Sequence, residues 1–163
     1  ASDGGVFAFG DAAFHGSMGG TALNRPIVGI AATPDGGGYW EVAADGGVFA
    51  FGDAGYEGSL PGLGVSVSDI VGVTPAPAGG GYWEVASDGG VFALGTASFD
   101  GSMGGTALNR PIVGIAATPD GGGYWQVASD GGVFAFGGAG FAGAASDPSI
   151  VGVVASGHRA SSL

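Results

Sequence analysis

Short apolar runs alternate with clusters of Gly, Asp and Pro along the whole chain, and the same runs return at a fixed spacing. The phrase DGGVFAFG begins at Asp3, Asp45 and Asp130 and appears as DGGVFALG at Asp88, in steps of 42, 43 and 42 residues. Gly-Tyr-Trp recurs with Trp40, Trp83 and Trp125, and Ile-Val-Gly with Ile27, Ile70, Ile112 and Ile150. Residues 16–40 reappear unchanged as 101–125, the mark of a recent duplication. A repeat of this length signals stacked supersecondary units.

One period, written from Ile27, predicts four strands. Strand A is 27–33, strand B is 38–43, strand C is 48–52, and a short strand D lies around Tyr56 to Ser59. Val, Ile, Phe, Tyr and Trp suit a pleated, half-buried surface. The Pro-Asp-Gly-Gly and Ala-Asp-Gly-Gly links supply the backbone freedom of tight hairpins. Links this short exclude parallel crossovers, so the unit is an antiparallel meander. Alternation in strand B puts Trp40 and Val42 on one face and Tyr39 and Glu41 on the other.

A repeated four-stranded meander of about 42 residues has the size of a propeller blade. The expected fold is therefore all-β: a β-propeller of four-stranded antiparallel blades, one repeat domain over 1–163. Three blades fall at 27–60, 70–103 and 112–143. A fourth is split between 149–163 and 3–18, which closes the ring and hides sheet edges. The alternatives are part of a larger or oligomeric propeller, a prism or trefoil, and an open solenoid.

Composition sharpens this picture. Gly makes up 39 of 163 residues, yet 45% of residues are hydrophobic and mean hydropathy is +0.41. A disordered Gly-rich chain lacks such apolar content. Fourteen acids against three Arg and no Lys give a net charge of −11. That field disfavours nucleic acid and anionic membrane surfaces. With no Cys, disulfides and thiolate metal sites are excluded. No apolar run reaches the roughly 18 residues of a spanning helix, so membrane insertion is not expected. The chain opens on Ala1 and not Met, which fits a processed or excised piece.

The stretches TPDGGGYW at 33–40 and 118–125 resemble the Asp-box, Ser/Thr-x-Asp-x-Gly-x-x-Trp/Phe, a turn motif of sialidase-like propellers. The matching residues are Thr33, Asp35, Gly37 and Trp40, then Thr118, Asp120, Gly122 and Trp125, while the middle repeat reads APAGGGYW. The repeat as a whole resembles the DGGVFAFG/GGYW arrays of secreted actinobacterial proteins, which often accompany cell-wall or ester hydrolase domains. That resemblance implies a secreted or cell-surface, propeller-like module, and it carries no catalytic residue over.

The candidate ligand-binding residues are the aromatic-acidic triplets Tyr39, Trp40 and Glu41; Tyr82, Trp83 and Glu84; and Tyr124, Trp125 and Gln126. Their rings could stack on sugars, and repeated sites would add avidity. The competing reading is packing between blades. Glu41 and Glu84 as a glycosidase pair would need differentiated acid and base environments, which copies do not supply. Asp35 and Asp120 are candidate Ca²⁺ ligands, against the simpler reading that each Asp caps its own turn. Arg25 and Arg110, in the Leu-Asn-Arg-Pro loops, are expected to pair with an Asp of a neighbouring blade. His15 and His158 reach one metal only if the termini meet. The Gly-rich turns precede strands and not helices, so they are not phosphate loops. The expectation is a non-catalytic module that needs no cofactor and binds a glycan or an extracellular protein. A self-assembling surface module is the alternative, with a homo-oligomer possible, and a degenerate glycosidase-like hydrolase is the third reading.

Overall fold

A computed structural model describes residues 1–146 and 149–155. These form three three-stranded antiparallel sheets in sequence order. The first contains β1 (Ile27–Ala32), β2 (Gly38–Ala43) and β3 (Val48–Gly52). The second contains β4 (Ile70–Pro75), β5 (Gly81–Ala86) and β6 (Val91–Gly95), and the third β7 (Ile112–Ala117), β8 (Gly123–Ala128) and β9 (Val133–Gly137). No α-helix occurs among the described residues, and none is long and apolar enough to cross a membrane. Within the three complete repeats, strands A, B and C therefore stand where the periodicity put them.

Strand D does not. Residues 56–59 join no ladder, so each sheet has three strands and not four. Gly55 and Gly58 hold this segment through their carbonyls, which accept from the Trp40 indole N–H at 2.7 Å and the Tyr82 hydroxyl at 2.5 Å. Side chains of two successive sheets replace the missing ladder. The two halves of the expected split blade, 149–155 and 3–18, form no ladder among the described residues, and the segment meant to pair them is 156–163. No backbone hydrogen bond joins 149–155 to residues 3–18, and Phe7, Phe9, Val151 and Val154 are exposed. Residues 156–163, the rest of that blade, lie outside the described part.

The turns explain the Asp-Gly-Gly signature. At the β2–β3 link, the Gly46 N–H bonds the Ala43 carbonyl at 2.9 Å and Gly46 sits at φ 76°. Asp45 Oδ1 accepts from the Gly47 N–H at 3.0 Å, and Asp88 and Asp130 do the same at 2.8 and 3.1 Å. Only glycine adopts the left-handed backbone here without steric cost.

Each Ile-Val-Gly carries a β-bulge. Ile27 faces Ala43 but Gly29 faces Val42, which leaves Val28 as the extra residue; the same slip recurs between Ile70 and Gly72 and between Ile112 and Gly114. The bulge ends in the glycine that lets first strands of successive repeats approach. A Cβ on Gly29 would stand 3.6 Å from the Gly72 Cα, and one on Gly114 3.3 Å from the Gly152 Cα.

The core lies between sheets and not within one. Trp40, Val42 and Val48 of the first sheet pack with Tyr82, Ala86 and Leu94 of the second. Trp83, Val85 and Val91 then pack with Tyr124, Ala128 and Ile115 of the third. Every residue of β2 and β5 is consequently buried. Fully burying a side chain the size of Val85 contributes about 1.5–3 kcal/mol, so each sheet depends on its neighbour.

The glycine opening the middle strand gives a sharp prediction. A Cβ at Gly81 would fall 2.6 Å from both the Ala97 nitrogen and the Leu94 oxygen, backbone atoms that cannot yield. Gly81→Ala is expected to destabilise by about 1–3 kcal/mol or more. Gly72→Ala meets only ordinary contacts at 3.6 and 3.9 Å and is expected to change stability by less than about 1 kcal/mol. Thermal unfolding of the two variants checks the contrast.

Candidate functional site

The aromatic-acidic triplets are the joints between repeats. Tyr39 is 7% exposed, Trp40 3%, Trp83 2%, and Tyr82 and Tyr124 0%. Adjacent residues of a strand point to opposite faces, but sheets stack on both faces of the middle repeat, so both sets are covered. Trp40 and Tyr82 have ring centroids 5.5 Å apart, as do Trp83 and Tyr124. These tilted pairs span from one sheet to the next.

Polar atoms are bonded as well. The Trp83 indole donates to the Ser98 carbonyl and the Trp125 indole to the Gly140 carbonyl, both at 2.7 Å. The Tyr82 hydroxyl donates to the Gly58 carbonyl and accepts from the Glu57 N–H; the Tyr124 hydroxyl donates to Gly101 and accepts from Asp100. The Tyr39 hydroxyl is held likewise by Gly16 and His15. Burial pushes the Tyr82 hydroxyl up to about 12, so it stays a donor at physiological pH. Five of the six rings are therefore buried in the joints, although Trp40 still lines a groove with Thr33, Asp35 and Asp53. Trp125 alone among the six is partly exposed.

Glu41, Glu84 and Gln126 occupy one position in three environments, each at most 1% exposed. Glu41 Oε2 accepts from the Met18 N–H at 3.2 Å. Burial raises its pKa, and that N–H partly offsets the rise. Gln126 Nε2 donates to the Gly89 carbonyl at 2.9 Å. Both oxygens of Glu84 lack a hydrogen-bond partner, and burial, with a smaller push from Asp45, raises its pKa to about 8. Glu41 and Glu84 are thus each buried at a separate place, one against the Met18 N–H and one without a partner.

The turn acids cap their own loops. Asp35 Oδ1 accepts from the Gly37 N–H at 3.1 Å, and Asp120 Oδ1 from Gly122 at 3.0 Å. Hydrogen bonds lower both pKa values: from Gly37 and then Thr33 for Asp35, from Thr118 and then Gly122 for Asp120. Thr33 and Thr118 close the same turns by accepting from Gly38 and Gly123. Among the described residues no three His, Cys, Asp or Glu converge on a metal position. His158 lies outside the described residues, and the His15 ring packs 5.7 Å from Tyr39.

The Leu-Asn-Arg-Pro loops behave differently from expectation. Arg25 and Arg110 are exposed, and among the described residues neither makes an ion pair or a hydrogen bond. Each instead borders a shallow groove with an Asp and a Phe of its own repeat. Exact recurrence of the loop in 16–40 and 101–125 was the sequence signal for it. The sequence did not show that the loop lies beside the β2–β3 and β8–β9 turns. No family model matches the chain, and no curated protein matches it.

Proposed function

We propose that this chain is an extracellular, non-catalytic carbohydrate-binding module whose propeller-like stack of sheets presents one surface loop more than once. The observation that carries the reading is the pair of identical loops, 19–26 and 104–111. Both are exposed except for half-buried Leu23 and Leu108, and both lead into the first strand of a repeat. The repeated interior residues are spent on the joints, so the repeated exterior is what remains for a partner. A polymer with a repeating unit can engage two such loops at once, and linkage of two weak contacts multiplies their effect.

Retention on insoluble chitin, cellulose and bacterial cell-wall preparations tests the reading. The protein is expected to be held by at least one of these polymers without shortening it. Passage through all three in the unbound fraction would overturn the proposal.

Self-association is the second reading, favoured by the exposed Phe7, Phe9, Val28 and Ile30 on one side of the first sheet. Light scattering over a wide concentration range decides it. A growing mass is expected on this reading, and a strict monomer removes it.

A further inference from the structure

Two grooves of about 190 and 210 Å³ lie at equivalent places in the first and third repeats. The first is bordered by Asn24, Arg25, Asp45 and Phe49, the second by Asn109, Arg110, Asp130 and Phe134. We infer that each groove is a binding site for one neutral pyranose ring of a glycan chain. The inference rests on the carbohydrate-binding reading above and names its site.

The chemistry at each groove is that of sugar recognition. Phe49 and Phe134 are half-buried, which fixes their rings while leaving part of each exposed to a C–H face. Asp45 and Asp130 each use Oδ1 on the turn N–H of Gly47 or Gly132, and Oδ2 has no hydrogen bond among the described residues. That oxygen accepts from a hydroxyl. Asn24 and Asn109 carry both a donor and an acceptor, and the guanidinium of Arg25 or Arg110 supplies donors only. Vicinal hydroxyls, each both donor and acceptor, match this mixed set. An aromatic wall with a few convergent polar groups is how small-molecule sites gain orientation, and these grooves are smaller than the roughly 300–1,000 Å³ of drug-sized pockets.

Charge selects the neutral class. Each groove is lined by one carboxylate and one guanidinium, and the chain's net charge of −11 repels polyanions. Valence follows from the middle repeat. Asp69 occupies the place of Pro26 and Pro111, since all three carbonyls accept from the turn after the middle strand. Val67 and Ser68 therefore replace Asn and Arg, and the Asp69 carboxylate is taken by the Ser87 hydroxyl at 3.1 Å. Two sites are expected and not three.

Calorimetry with chitotetraose, cellotetraose and a tetragalacturonate tests the inference, beside polymer retention. A neutral tetramer is expected to bind with a stoichiometry of two. Arg25→Ala or Arg110→Ala alone is expected to reduce the stoichiometry to one. The double variant is expected to lose at least tenfold in affinity with unchanged thermal unfolding, since both side chains are exposed. Wild-type retention by a polymer that the double variant shares undiminished overturns the grooves and spares the wider reading. Preference for tetragalacturonate overturns the neutral class. Failure of the wild type on every polymer and tetramer removes both the grooves and the reading beneath them.

Discussion

Glu84→Gln is expected to make the protein more stable at pH 8 and to flatten the decline of stability with rising pH. Glu84 is fully buried, its oxygens lack partners, and its pKa stands near 8 in the folded chain. An unfolded glutamate titrates close to 4.5. Between these values the folded state keeps a proton that the unfolded state has released. Stability is then complete below about pH 4.5 and falls as pH rises, by up to about 1.4 kcal/mol per unit, until the folded acid itself ionises near 8. The whole window amounts to roughly 3–5 kcal/mol for this one side chain.

Glutamine removes the titration and keeps the shape. The third repeat already holds the outcome, because Gln126 donates to the Gly89 carbonyl from the equivalent position. The corresponding acceptor for residue 84 is the Gly46 carbonyl, which also takes the Leu60 N–H, as Gly89 takes that of Met103. Asp45 is the other acid acting on Glu84, and Tyr82 stays neutral throughout this range. Glu41, softened by the Met18 N–H, contributes a slope of its own, so the wild-type-minus-variant difference is the quantity to read. Denaturant unfolding at pH 5, 7 and 9 supplies it. Parallel curves for the two proteins would show that Glu84 does not carry the effect.

Trp83→Ala is expected to cost about 3–5 kcal/mol, on the order of 10 °C in melting temperature for a domain of this length. The change removes the indole pressed against Tyr124, opens a void between the second and third sheets, and leaves the Ser98 carbonyl without its donor. Trp125→Ala deletes the same side chain from the same local sequence. Its indole bonds the Gly140 carbonyl equally well, but it is partly exposed, and among the described residues no ring faces it. Its cost is expected to be lower by about 1–2 kcal/mol, the worth of a stacked aromatic partner with the added burial. Equal losses in the two variants would mean that the tryptophans serve their own repeats and not the joint between neighbours.

The order of strands was legible in the chain because its causes are local. Asp45-Gly46-Gly47 can hardly do anything but turn, since the Asp oxygen finds an N–H two residues on and glycine takes the left-handed backbone. Beta-branched and aromatic residues between such turns make the strands, so β1 to β9 fell within a residue of expectation. The segment near Tyr56 misled for a related reason. Its composition resembles a strand, but Trp40 and Tyr82 claim its carbonyls before a ladder can form.

What the aromatic triplets do was decided by tertiary structure alone. Alternation assigns Tyr82 and Trp83 to opposite faces, and a lone sheet would leave one of them to solvent. Stacking covers both faces of an inner sheet, and that depends on which surfaces meet, not on any residue's neighbours in sequence. The same holds for the acids: Glu41 and Glu84 follow identical tripeptides, yet Glu41 meets the Met18 N–H and Glu84 meets no hydrogen-bond partner. By itself the sequence determined where the chain bends and which stretches extend, because those preferences act over three or four residues. Which side chains remained open to the outside was settled only when the sheets came together, because burial is a property of contacts between residues some forty positions apart.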